Sequence, residues 1–172
     1  MKYVTRKVYR RLYQFREALT ARFTEQEYAC VAQVLNPAEL RLFLRMPLFD
    51  QRHCFEVYRT LMRGGHDDPH LLRAALLHDC GKVDDYGRPI PLLYYGLFVV
   101  TRALAPRLYW RAARNGRGLL RPFAVHAEHD LRSASMAAEA GSPPETVAIL
   151  LAYAHDDKTP LMRALSWADN QN

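Results

Sequence analysis

The stretch AALLHDCGK, Ala74 to Lys82, sets a small apolar run directly against a histidine and an aspartate. An uninterrupted run of Ala and Leu reads as the end of a core helix, predicted over 71–80 and stopped by Gly81. His78 and Asp79 therefore reach the interior, where a carboxylate or an imidazole is costly without partners. Those partners must come from elsewhere in the chain.

The chain has 172 residues, 49% hydrophobic and 24% charged, which suits one soluble globular domain. Its 24 Lys and Arg against 18 Asp and Glu leave a net charge of +6, which favours anionic partners. Cys30, Cys54 and Cys80 form no CxxC or other close spacing. Neither a disulfide framework nor a zinc knuckle follows, and a reducing, cytoplasmic setting is expected. The N-terminal segment has no apolar core of the signal-peptide kind. The most apolar run, IPLLYYGLFVVTRALAP, is broken by Gly96 and Arg102 and ends at Pro106. It falls short of the ~20 apolar residues that a spanning helix needs.

Helical periodicity dominates. Val4, Val8, Leu12, Phe15 and Leu19 recur at steps of three and four, with Lys2, Arg6, Lys7, Arg10 and Arg11 around them. Residues 1–35 read as a basic N-terminal helical extension. In NPAEL, Asn36 is an N-cap, Pro37 the first helical residue and Glu39 the third. FDQRHCFEVYRTLM follows, with Phe49, His53, Val57 and Leu61 able to share a face, and GGHDDPH ends it. Residues 83–123 are less regular and read as one or two helices in a long insertion. After Pro122 a helix from about Ala124 to Gly141 is expected. Another opens with a capping box in SPPE (Ser142, Glu145), and a last one opens at Thr159-Pro160 and runs to Asp169. The expected fold is all-α, one domain.

His53, His78, Asp79, His129, His155 and Asp169 each join or follow an apolar stripe on one of these helices. Singly, each is an ordinary core histidine or helix cap. Together, on five helices and facing inward, they are satisfied at once by a shared metal centre. Imidazole nitrogen with carboxylate oxygen suits iron, manganese, cobalt or nickel more than calcium.

The pattern His53 … His78-Asp79 … Asp169, with LLHDCGK around the pair, resembles the HD-domain metal-dependent phosphohydrolase superfamily, in particular its HDIG-like members. The segment from His129 to His155 resembles the part that supplies two further histidines in the two-metal subset. The resemblance covers roughly residues 37–170, with 83–123 poorly matched; Ser133-Ala134 stands where many relatives have Gly-Ala. It implies a single HD-domain helical bundle with a helical insertion after the HD motif. It also implies two divalent ions, Fe or Mn with Co, Ni or Mg as alternatives, that hydrolyse a phosphoester or phosphoanhydride with a metal-activated water. Asp79 is the expected bridging and catalytic ligand; His53, His78 and Asp169 complete one metal, and His129 and His155 the other. Lys82 is expected to reach a substrate phosphate and so to act in catalysis. His126, three residues before His129, is an alternative ligand, a support for one, or a substrate contact.

The insertion places Arg102, Arg107, Arg111, Arg114, Arg117 and Arg121 among Tyr94, Tyr95, Tyr109 and Trp110. Arginines with aromatics suit a nucleotide or dinucleotide, and equally an amphipathic surface helix. Two other readings stand beside the enzyme: a non-catalytic nucleotide-binding HD module, and a peripheral one held on an anionic membrane by the basic first helix. Nucleic acid fits less well, since it leaves the constellation of histidines and aspartates unexplained. A homodimer is an open alternative.

Overall fold

The computed structural model describes residues 22–172, so the basic helix expected around the Val4 to Leu19 stripe lies outside the described residues. Nine α-helices follow: α1 (Glu25–Val34), α2 (Pro37–Arg45), α3 (Leu48–Arg63), α4 (Pro69–Leu77), α5 (Leu93–Leu104), α6 (Pro106–Asn115), α7 (Arg121–Glu139), α8 (Pro144–His155) and α9 (Pro160–Gln171). Short 3-10 turns lie at Cys80–Lys82 and Gly118–Leu120. Among the described residues there is no strand, only one isolated bridge between Val83 and Pro89. The chain is an all-α bundle.

Local chemistry sets most boundaries. Thr24 and Asn36 close capping boxes with Glu27 and Glu39, and Asp68 accepts the amides of His70 and Leu71 at the start of α4. Thr159 accepts the Met162 amide at the start of α9, as the Thr-Pro pair predicts. SPPE behaves otherwise: the N-cap of α8 is Pro143, with no side-chain bond. Ser142 instead donates to Glu39 Oε1 (2.5 Å), because that carboxylate is fully buried and needs a second donor. The helix expected from Ala124 begins three residues earlier, at Arg121.

α4 is buried almost all the way round, through Leu71, Leu72, Ala74, Ala75, Leu76 and Leu77. It packs between α3 and α8, with α9 against α3. Val31 of α1 is also in this core, so the later part of the supposed N-terminal extension belongs to the bundle. The insertion holds two helices, as expected, around a second core of Ile90, Phe98, Tyr109, Ala112, Ala113, Phe123 and Val125.

The helix carrying the His-Asp pair ends at Leu77 rather than at Cys80. His78 and Asp79 sit just beyond it, Asp79 at φ −104° and ψ 0°. A continuing helix would splay these neighbouring side chains by ~100°, whereas here His78 Nε2 and Asp79 Oδ2 stand 3.7 Å apart. Gly81 presses the turn against α7, where a Cβ would fall under 3.0 Å from the His129 carbonyl oxygen, the Ser133 nitrogen and the Arg132 Cβ. Only glycine permits that approach.

Candidate metal centre

Four parts of the bundle meet beside this turn: His53 from α3, His78 and Asp79 from the turn, His129 and Asp130 from α7, and Asp169 from α9. One donor atom each of His53, His78 and Asp79 lies within 4.8 Å of the others, a group able to hold a metal ion. His78 Nε2 is 3.7 Å from Asp79 Oδ2 and 3.8 Å from Asp169 Oδ1, and His53 Nε2 is 3.8 Å from Asp79 Oδ2. Donors bound at ~2.1 Å to a common ion stand ~3.0–4.2 Å apart for bond angles between 90° and 180°, so these separations fit. His53 Nε2 and Asp169 Oδ1 are closer, a hydrogen bond of 2.9 Å.

The supports point the same way. His78 Nδ1 donates to the Ala75 carbonyl (2.9 Å), which leaves the Nε2 lone pair facing the carboxylates. That Nε2 is buried without a hydrogen-bond partner. His129 repeats the arrangement: Nδ1 donates to the His126 carbonyl (2.7 Å), and Nε2 stands 3.7 Å from Asp79 Oδ1. Asp130 Oδ1, 3.2 Å from the same Nε2, is also buried without a hydrogen-bond partner. Tyr153 donates to Asp169 Oδ2 (2.8 Å) and so orients its other oxygen. Two buried atoms at the cluster, His78 Nε2 and Asp130 Oδ1, thus lack a hydrogen bond, at the cost a buried polar group carries until something meets it.

Lys82 folds back into the cluster. Its ammonium donates to Asp79 Oδ2, lies 3.4 Å from Asp50 Oδ1 and sits 5.5 Å from the Tyr95 ring centre. Tyr95 in turn donates to Asp50 Oδ2 (3.2 Å). Burial pushes the Asp79 carboxyl up, but Lys82 and the imidazoles of His78, His53 and His129 hold it well below the usual range. Asp169 is likewise lowered against burial, chiefly by its hydrogen bond from His53. Burial raises the Asp50 carboxyl despite Lys82. Asp79 and Asp50 hold the Lys82 ammonium well above its ordinary value although burial opposes it.

Of the residues singled out in the sequence, His53, His78, Asp79, Lys82, His129 and Asp169 come together. His155 does not: it ends α8 exposed, and among the described residues no hydrogen bond or ion pair ties it to the cluster. Tyr153, two residues earlier, is the side chain of α8 that reaches the site. His126 stands behind His129, its ring 4.1 Å from that of Phe98 between centres and its Nδ1 accepting from Tyr109 (2.7 Å). Burial, then His129, lowers its pKa to about 3, so it stays neutral. Cys54 and Cys80 are buried thiols raised by burial, Cys80 to about 12, and both pack in the first core.

Asp50, Asp130 and Tyr153 were not foreseen, and Tyr95, expected among the aromatics that serve a nucleotide, donates to Asp50. Asp50 had a signal: it lies one turn before His53, on the same helix face. A cavity of about 440 Å³ between α7 and the loops at 84–88 and 116–118 is lined by Arg88, Arg117, Arg121 and Arg132, but by no residue of the cluster. Three of these arginines pair with Asp84 or Asp85, so the cavity is largely self-neutralised. No protein-family model, no curated protein and no solved structure matches the chain.

Proposed function

We propose that the protein is a metal-dependent phosphohydrolase that cleaves a phosphoester or phosphoanhydride, with a nucleotide or dinucleotide as substrate. The observation that carries the reading is the convergence of His53, His78, Asp79 and Asp169 around an unpartnered, buried His78 Nε2. The resemblance of His53 … His78-Asp79 … Asp169 to the HD pattern supports the same chemistry. Two ions, iron or manganese, suit the donor set. His53, His78, Asp79 Oδ2 and Asp169 would hold one; Asp79 Oδ1, His129 and Asp130 would hold the other.

When bound, divalent ions supply Lewis acidity toward phosphoryl oxygens and lower the pKa of a water. The chain's own groups do the rest. His78 and His129 are fixed in the Nδ1–H tautomer by backbone carbonyls, and Tyr153 aims Asp169. Lys82 and Tyr95 hold Asp79 and Asp50 in place at the edge that adjoins the insertion. The arginines and aromatics of that insertion suit the phosphates and base of a nucleotide.

The test is metal analysis of the purified protein, followed by hydrolysis of a generic phosphodiester and of nucleotides with added Mn²⁺. Bound transition metal and Mn²⁺-dependent turnover, lost in Asp79→Asn, are expected. Metal retention with tight nucleotide binding and no turnover would favour the non-catalytic module. Absence of both metal and turnover would overturn the proposal.

A further inference from the structure

α5, LYYGLFVVTRAL, is apolar nearly all the way round, yet the bundle covers only one of its sides. Phe98 is buried, Tyr94 and Tyr95 pack on the second core, and Tyr95 reaches Asp50. Leu93, Leu97, Val100 and Leu104 follow one another at steps of four, three and four, so they form a single stripe on the opposite side. They are 85%, 44%, 53% and 81% exposed. Scattered exposed leucines need no explanation, but a continuous apolar stripe marks a surface that something covers.

The charge along this stretch of the chain has one sign, although Arg88 and Arg121 pair with Asp84 just before it. From Tyr86 to Ala127 the chain has no Asp or Glu and seven arginines. Ala105 alone joins α5 to α6, whose buried residues are Tyr109, Ala112 and Ala113. Its other side carries Arg107, Arg111 and Arg114, again at steps of four and three, with Leu108 and Trp110 exposed beside them. None of these three arginines has an ion-pair partner among the described residues.

We infer that the α5–α6 pair seats the protein on an anionic lipid surface. The Leu93–Leu104 stripe enters the boundary between headgroups and acyl chains, and Arg107, Arg111 and Arg114 meet lipid phosphates. Charge complementarity selects this occupant. A second copy docked through the same surface would bring one arginine row towards its equal, whereas an anionic bilayer satisfies both the apolar stripe and the cations. Trp110 is a side chain suited to the headgroup level. No described helix is long and apolar enough to cross a membrane, so the contact is peripheral.

The experiment is flotation of the full chain with vesicles of phosphatidylcholine alone and of equal parts phosphatidylcholine and phosphatidylglycerol. Binding to the anionic vesicles is expected to be at least ~10-fold tighter and to weaken with salt. Leu97→Glu with Leu104→Glu should cut it by ~10-fold or more while metal content and helical circular dichroism stay unchanged. In a Trp167→Phe background that keeps both leucines, Trp110 emission should shift to shorter wavelength on anionic vesicles alone. No binding to anionic vesicles, or undiminished binding by the Leu97/Leu104 variant, would overturn the inference. So would a solution dimer that this variant dissolves without any change in vesicle binding.

Discussion

Ser133 Oγ accepts the Gly81 amide at 2.9 Å and donates to the His78 carbonyl oxygen at 2.6 Å. One fully buried hydroxyl on α7 thereby holds both ends of the turn that presents Asp79. Ser133→Ala strands a buried N–H and a buried carbonyl, and a loss of ~1–3 kcal/mol is expected. Gly81→Ala should cost at least as much, because its Cβ meets α7 backbone that cannot swing aside. At ~2–4 °C per kcal/mol for a chain of this size, a thermal melt resolves both. A Gly81→Ala protein that melts like the parent would show that the turn and α7 are not locked together.

Metal content should sort the histidines. His78→Ala and Asp79→Asn are expected to reduce bound metal to near zero. His129→Ala should remove one ion of two, and His155→Ala should change nothing, because that side chain is exposed at the end of α8. Tyr153→Phe frees Asp169 Oδ2 and should weaken metal affinity by ~10-fold or more. Elemental analysis and calorimetric titration with Mn²⁺ measure these effects. Loss of metal in His155→Ala would contradict the placement of α8.

Lys82 pairs with both Asp79 and Asp50, and among the described residues no other lysine and no arginine does. Lys82→Met leaves two buried carboxylates without it, a loss of ~3–5 kcal/mol in metal-free protein. With Mn²⁺ present the loss should be smaller, since a divalent cation faces the same carboxylates. Melting curves in chelator and in Mn²⁺ compare the two; equal losses in both would mean that no ion sits beside Asp79.

Arg52, the neighbour of His53 on α3, binds Glu27 through both terminal guanidinium nitrogens, at 2.7 and 3.0 Å. That contact, with the Thr24 cap, lowers the Glu27 carboxyl to about 2. A depressed carboxylate pKa adds stability that is complete above the unfolded value, near 4.5, and is lost as pH falls from there towards 2. Arg52→Ala should therefore flatten the acid limb of the stability curve. The change should be below ~1 kcal/mol and smaller still at high salt, since the pair is near the surface.

The His53 and Asp169 placements were legible because each residue extends an apolar stripe whose helix face is unambiguous, and Asp79 because it follows a run that is buried on every side. Val57 and Leu61 are buried on the His53 side, and Leu165 is buried one turn before Asp169. α8 gave no such guide. It is apolar nearly all round, so periodicity could not choose its inner face. Ala148, Leu151 and His155 line up on the exposed side, whereas Thr146, Ile149, Leu150 and Ala152 are buried. Tyr95 and Asp130 depend on how the insertion and α7 close over the turn, a tertiary contact that no local pattern encodes. Ser142 was misread for a related reason: its hydroxyl had a local use as a cap, and a buried carboxylate 103 residues away outbid it.

The His53–Asp169 contact closes a loop of 116 residues, joining α3 to the final helix. An ion held between them would act on the chain as a removable cross-link, and constraints across loops of this length oppose unfolding most strongly. α9 is otherwise held by packing against α3, α8 and α4, through the buried Met162, Ala164, Leu165 and Ala168. Removing such an ion would take away a tie between α3 and α9 whose two ends lie 116 residues apart in the chain.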